Sequence, residues 1–146
     1  MPVSTTKITL WVNRVIAVVL CGLLFAMPAL ITWFSAIRPL AHSASVALIV
    51  AFYCCAVFVF WALWELDGLL RAILRREIFI RANVRRIRII RWCCFAVALI
   101  CWPAAFFYPP LVFMVVIMGF LSLVITVLGK VMDAAVEIRE ENDLTV

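Results

Sequence analysis

Charged residues are scarce in this 146-residue chain, and their scarcity excludes an ordinary soluble domain. Only 14% of the residues are charged, whereas 68% are hydrophobic and the mean hydropathy is +1.21. Soluble domains contain about 25% charged and roughly 45–50% apolar residues. The composition predicts an integral membrane protein with one domain, because four lipid-embedded segments of about 20 residues leave too little chain for a soluble module.

Residue types that support catalysis or metal binding are also few. The chain contains a single histidine, His42, and its six cysteines form no C-x-x-C motif, so the spacings of zinc and redox sites are missing. No charged residue lies in the middle of an apolar run, and no nucleophile, base and orienting group occur at a recognisable spacing. We therefore expect a protein that is not an enzyme and that carries no cofactor.

Four cysteines lie at a similar depth in the apolar runs, about 16 to 18 Å from the charged ends at 1.5 Å per residue. They are Cys21, Cys54, Cys55 and Cys101. This layer leaves open a thiolate site for a soft metal such as Cu(I). Cysteine is also a common small apolar residue at helix contacts, and this is the interpretation we prefer.

Four apolar runs are long enough to cross a bilayer, which takes about 20 residues of α-helix. The predicted spans cover about residues 12–36, 44–66, 89–107 and 110–131. The connections after the first and third spans are short and rich in turn residues, which favours two antiparallel hairpins. The first run is longer than the apolar region of a signal peptide, roughly 7–15 residues, so we expect it to be a span. The predicted fold is an all-α membrane protein, an antiparallel bundle of four transmembrane helices.

Basic residues are concentrated at one end of the predicted bundle. An even number of spans places both termini on the side of the second connection, and this side holds all but one of the 13 Lys and Arg residues, with Arg38 on the other. Cytoplasmic loops carry the excess of basic residues. We therefore predict that both termini, a basic loop of residues 67–91 and an acidic tail of residues 132–146 are cytoplasmic.

The basic loop has the pattern of an amphipathic helix, because aliphatic residues recur at helical spacing on one face and arginines on another. The two sets are Ile80, Val84, Ile87 and Ile90, and Arg81, Arg85 and Arg88. The simplest interpretation is a topology signal that contacts anionic lipid headgroups. The alternative is a docking surface for an acidic protein partner, because arginine binds carboxylates through two parallel hydrogen bonds. Direct nucleic-acid binding is disfavoured, since the helix is tethered to the bilayer and no DNA-binding motif surrounds it.

The tail DAAVEIREENDLTV has the opposite charge. Its carboxylates recur at i+3 and i+4 spacing, which predicts an acidic stripe on a helix that projects past the membrane. The stripe is either a solvated helix end, with exposed ion pairs that contribute about 0–1 kcal/mol each, or a surface that docks on the basic loop or on a partner. The carboxylate of Val146 also suits capture in a peptide-binding groove, although three residues are a weak signal.

Two segments, EIFIRANVRRIRIIRW in the basic loop and EENDLTV at the end of the sequence, resemble a family of small bacterial four-span membrane proteins of unknown function. The resemblance extends over nearly the whole chain in layout. Two positions depart from the family pattern, since members tend to have a glycine where Arg76 stands and a small polar residue where Ile80 stands. The resemblance implies a four-helix fold in the bacterial inner membrane, and a gene that commonly neighbours a helix-turn-helix regulator of the Cro and C1 type.

These observations lead to one hypothesis and one alternative. The hypothesis is a non-enzymatic, regulatory inner-membrane protein whose basic loop and acidic tail sequester a cytoplasmic partner, such as the helix-turn-helix regulator. The alternative is a small transporter or channel-like subunit for an apolar or cationic compound, suggested by prolines inside two spans and by the interfacial Glu65. Small residues within the spans also admit a homo-oligomer. The predicted partner-binding residues are Arg81, Arg85, Arg86, Arg88, Glu137, Glu140, Glu141, Asp143 and Val146.

Overall fold

Four long α-helices make up the protein. The computed structural model describes residues 3–37, 39 and 41–145, and side chains from residue 5 onward. The helices are α1 (Val3–Ile37), α2 (His42–Leu74), α3 (Arg81–Phe107) and α4 (Leu111–Leu144). Each contains a stretch of at least 18 residues that is long and apolar enough to cross a membrane. The predicted fold class is confirmed.

The helices extend beyond the predicted spans. α2 continues to Leu74, α3 begins at Arg81, and α4 continues to Leu144, so most of the predicted basic loop and acidic tail is helical. The α2–α3 connection contains only residues 75–80. His42, which the sequence analysis placed in the first loop, is instead the first residue of α2, and Arg38 lies outside the described residues.

The α2–α3 connection begins with a Schellman motif, in which backbone N–H groups beyond a helix end bond back to its last carbonyls. The N–H of Arg76 donates to the carbonyl of Ile73, and the N–H of Glu77 donates to that of Ala72. This motif requires a left-handed residue after the cap, and Arg76 occupies that position with φ of 60°. The motif ends α2 and turns the chain towards α3.

Each helix packs against its neighbour in the sequence. Close backbone approaches join α1 to α2, α2 to α3 and α3 to α4, and no other helix pair in the described part of the chain comes as close. The helices therefore form an open antiparallel row. α3 has neighbours on two sides and contributes half of the buried apolar residues in the described part of the chain, including Val84, Ile87, Val97 and Cys101. Large apolar side chains elsewhere stay exposed, as expected for helices that face lipid.

Candidate functional site

The ion pairs between helices gather at one end of the row, where α1 and α3 begin and α2 and α4 end. We call this the charged end. Arg14 of α1 pairs with Asp67 of α2 at an Nε–Oδ1 distance of 3.5 Å, and Asp67 also pairs with Arg71 one turn further along α2. Asp67 and Arg71 stand at i, i+4 on α2, the spacing at which opposite charges meet on one helix face. Between the same two helices, the amide nitrogen of the buried Asn13 donates to the backbone carbonyl of Leu63 at 3.1 Å.

Arg86 lies between α3 and α2. Its Nε is 4.0 Å from Oε2 of Glu65, and its guanidinium group covers Gly68 so closely that a β-carbon there would be 2.7 Å from Cζ of Arg86. The missing side chain of Gly68 makes room for a guanidinium group against the α2 backbone. Contacts with α2 therefore fix the side chain of Arg86. Arg85, beside it in the sequence, is exposed.

Asn83 fixes the start of α3 to the connection that precedes it. Its side chain is fully buried, and its amide nitrogen donates to the carbonyls of Glu77 at 2.7 Å and Ile78 at 2.9 Å. One amide nitrogen thus donates to two carbonyls that have no hydrogen-bond partner within a helix. The connection between α2 and α3 is consequently a defined structure and holds the following arginines in a fixed position.

Arg81 and Glu140 join α3 to the end of α4. Two hydrogen bonds run from the guanidinium group to the carboxylate, Nε to Oε1 at 2.9 Å and Nη2 to Oε2 at 2.6 Å. The hydrogen bond and charge of Glu140 raise the pKa of Arg81, with smaller contributions from Asp133 and Glu137. The hydrogen bond from Arg81 in turn lowers the pKa of Glu140. We call this two-point ion pair the clasp.

The structure does not bring all of the predicted site residues together. The clasp unites Arg81 with Glu140, while Arg86 faces α2 and Arg88 lines a cleft between α3 and α4. Val146 lies outside the described residues. The remaining predicted residues are exposed side chains at the charged end, namely Arg85, Glu137, Glu141 and Asp143.

The cleft between α3 and α4 has a volume of about 380 Å³. Its polar lining is mostly basic and consists of Arg88, Arg91, Lys130, Asp133 and Thr126. Its apolar lining comes from Val84, Ile87, Ile125 and Gly129. Two of the cations of this α3–α4 cleft, Arg91 and Lys130, are not among the predicted site residues.

The cysteines do not form the four-thiol layer that the sequence leaves open. Cys55 of α2 faces Cys101 of α3 with an Sγ–Sγ distance of 3.8 Å, whereas Cys21 and Cys54 are exposed. Within residues 3–37, 39 and 41–145, no group of three or more His, Cys, Asp or Glu side chains could hold a metal ion. The cysteine contact that the structure shows joins two thiols, one on α2 and one on α3.

Comparison with known proteins bears on this arrangement. A family model described as "Protein of unknown function (DUF2975)" matches residues 5–146. The chain belongs to the DUF2975 family. No curated protein matches the chain, and no solved structure matches it. The resemblance seen in the sequence is confirmed as membership of a family of unknown function, and this DUF2975 protein has the four long apolar helices that the resemblance implies.

The structural roles of two residues of this DUF2975 protein were not predicted from the sequence, although each position is unusual in the sequence pattern. Asn83 is a polar residue on the apolar face formed by Val84, Ile87 and Ile90, which is where a buried hydrogen-bonding residue would stand. Gly68 is one of only four glycines and lies inside a helix, where glycine is unfavourable without a packing reason. In both cases the sequence marked the position but could not identify the contact.

Proposed function

We propose that this DUF2975 protein holds a cytoplasmic protein partner at the membrane through the charged end. The observation that supports the proposal most directly is the clasp, because it fixes an acidic helix end beside a basic helix start. Fixed charges bind a partner without the ordering cost that a disordered tail would incur. The proposed docking surface comprises Arg85, Arg88, Glu137, Glu141 and Asp143.

The geometry of α4 favours recognition away from the lipid. The apolar part of α4 ends at Gly129, and the helix continues to Leu144. Fifteen residues of α-helix measure about 22 Å, which carries the last turns beyond the lipid headgroups if the predicted topology is correct. Arg85 and Arg88 are exposed on α3 and make no ion pair with another described residue. They remain available for carboxylates of a partner.

A helix-turn-helix regulator is the first partner to test, as the family resemblance implies. Regulators of this type contact phosphates through basic surfaces. Glu141 and Asp143 would offer such a surface carboxylates in place of phosphates, so binding at the membrane would compete with binding to DNA. The proposed mechanism is sequestration, with release of the regulator when the charged end is altered or occupied.

The experiment is photo-crosslinking in native membranes, followed by affinity purification and proteomic identification. Three forms of the full chain are compared: the wild type, Glu141→Gln/Asp143→Asn, and Lys7→Gln/Arg14→Gln. The second form removes charge from the docking surface without touching the clasp. The third removes two positive charges from α1, outside the docking surface, and breaks the pair of Arg14 with Asp67, so it controls for a general disturbance of the charged end.

We expect one DNA-binding protein to be captured by the wild type and the control and to be lost from the Glu141→Gln/Asp143→Asn variant. Purified partner should then leave its DNA when the wild-type protein in nanodiscs is added. Equal capture of every partner by all three forms would contradict the proposal. If the same partner were captured together with its DNA, the docking proposal would stand and sequestration would be excluded.

An apolar cleft favours a second candidate function, transport of an apolar compound. It has a volume of about 170 Å³ where α2, α3 and α4 meet, and its lining includes Phe58, Leu66, Val97 and Met118. Glu65, which suggested cation handling in the sequence, is instead paired with Arg86. An accumulation assay with lipophilic dyes discriminates the two functions, because Val97→Trp should block transport and leave partner capture intact.

A further inference from the structure

The α3–α4 cleft has an excess of positive charge that the protein itself does not neutralise. Arg88, Arg91 and Lys130 contribute three cations, and Asp133 contributes one carboxylate. None of the three cations has an ion-pair partner within 4.0 Å among the described residues. The cleft therefore carries a net charge of about +2 and suits a ligand with two negative charges.

The same cleft is apolar at its base. Val84 and Ile87 are buried there, and Gly129 presents no side chain to the cleft. Deeper towards the membrane, Phe95 lies one turn after Arg91 on α3, and Leu123 lies two turns before Lys130 on α4, so each shares a helix face with its cation. Both are exposed apolar side chains. A molecule held by the arginines would thus continue along an apolar helix surface.

Cations above an apolar helix surface fit a membrane lipid better than a soluble anion. Basic pockets between transmembrane helices bind phospholipid headgroups, while the acyl chains stay in the bilayer. An inorganic phosphate would satisfy the arginines but would leave the apolar base, Phe95 and Leu123 without a contact. A net charge of +2 further favours a headgroup with two phosphodiesters over one with a single phosphodiester.

We propose that the α3–α4 cleft is a binding site for a doubly charged phospholipid of the cardiolipin type. Arg91 and Lys130 bind its two phosphates from opposite helices, and the acyl chains lie along Phe95 and Leu123. The site goes beyond the docking surface, because Arg91 and Lys130 belong to the cleft alone. A bound lipid would also connect α3 to α4 on the membrane side of the clasp.

The test is native mass spectrometry of the full chain, purified in detergent and titrated with tetraoleoyl cardiolipin, dioleoylphosphatidylglycerol, dioleoylphosphatidylcholine or sodium phosphate. The cleft variant is Arg91→Gln/Lys130→Gln. Its matched control is Arg75→Gln/Arg85→Gln, which removes two exposed cations of the charged end that do not line the cleft. Asp133→Asn serves as a third variant, because it removes the only carboxylate of the cleft and a misfolded protein could not gain affinity.

We expect cardiolipin to bind more tightly than the singly charged lipid, and phosphate not to bind. The cleft variant should lose roughly 10- to 30-fold in cardiolipin affinity, the control should lose little, and Asp133→Asn should bind more tightly. Equal losses in the cleft variant and the control would overturn the proposal, because they would show diffuse attraction to the charged end. Binding of phosphate as tight as that of cardiolipin would overturn it as well, since the ligand would then be a free anion.

Discussion

The guanidinium group of Arg86 occupies the space that a side chain at position 68 would fill, so Gly68 and Arg86 depend on each other. A β-carbon on residue 68 would move the flexible end of Arg86 away from Glu65, 4.0 Å distant. The carboxylate would then lose its only described ion-pair partner. One methyl group can therefore break the one ion pair described between α2 and α3.

Gly68→Ala should therefore abolish the coupling between Arg86 and Glu65. In a double-mutant cycle we expect a coupling free energy of about 1 kcal/mol in the wild type and close to zero in the Gly68→Ala background. The unfolding free energy itself should change little, since the helix propensity of alanine offsets part of the loss. An unchanged coupling energy in Gly68→Ala would show that Arg86 does not need the space.

Protonation of Glu140 should open the clasp. The pKa of Glu140 is lowered by Arg81, so the ion pair stabilises the charged end fully above the ordinary glutamate pKa and is lost as the pH falls through the lowered value. A ¹³C-carboxyl NMR titration should show the pKa of Glu140 moving up towards the ordinary value in Arg81→Gln. Arg85→Gln is the control and should leave the titration of Glu140 in place. Identical titrations in the wild type and Arg81→Gln would contradict the clasp.

Replacing Asn83 with aspartate should destabilise the connection before α3. The carboxylate has no hydrogen to donate, so it would face the carbonyls of Glu77 and Ile78 in a fully buried position. We expect a loss of at least about 2 kcal/mol in unfolding free energy, measured by denaturation in mixed micelles. Asn142→Asp, the same change at an exposed position of α4, should cost almost nothing. Equal stabilities of the two variants would exclude the anchoring role of Asn83.

Arg76→Gly should stabilise the protein. Arg76 has a φ of 60°. This backbone conformation costs free energy for a residue with a β-carbon, and glycine avoids that cost. We expect a gain of about 1 kcal/mol in unfolding free energy. Arg75→Gly removes the same charge at a φ of −81° and should lower the stability instead. Changes of the same sign in both variants would attribute the effect to charge.

Mild oxidation should link α2 to α3 through Cys55 and Cys101. Their sulfur atoms are 3.8 Å apart, so a small movement brings them to bonding distance, about 2.05 Å. Diamide treatment followed by peptide mass spectrometry should find this disulfide in the wild type and in Cys54→Ala. It should be missing in Cys55→Ala. A link formed through Cys54 instead would show that α2 is rotated from the described position.

The sequence predicted the four helices well, because long apolar runs leave the backbone no alternative in lipid. It left open whether the acidic tail is a solvated helix end or docks on the basic loop, and in the structure Glu140 of the tail pairs with Arg81. It could not choose between neighbouring arginines. Successive residues on an α-helix point about 100° apart, so Arg85 and Arg86 face different surroundings, and only the rotation of α3 against α2 decides which one is paired.

The sequence could not predict the contacts of Gly68 or the α3–α4 cleft, for a related reason. Both arise where two helices meet, and helix spacing in one segment contains no information about the register of the next. Arg76 is different, because the sequence resemblance implies a glycine at this position and the structure explains why with a left-handed φ. A local backbone requirement shows in the family pattern, whereas a contact between segments does not show in one sequence.

The row arrangement has a consequence for how the chain is assembled during synthesis. Within the described residues, each helix packs closely only on its immediate neighbours in the sequence, and the spacing of most contacts along the chain is therefore short. Local contacts of this kind favour fast folding. When each helix leaves the ribosome, the helix that it will pack against is already made, so membrane insertion and packing can proceed in chain order without waiting for the C-terminus.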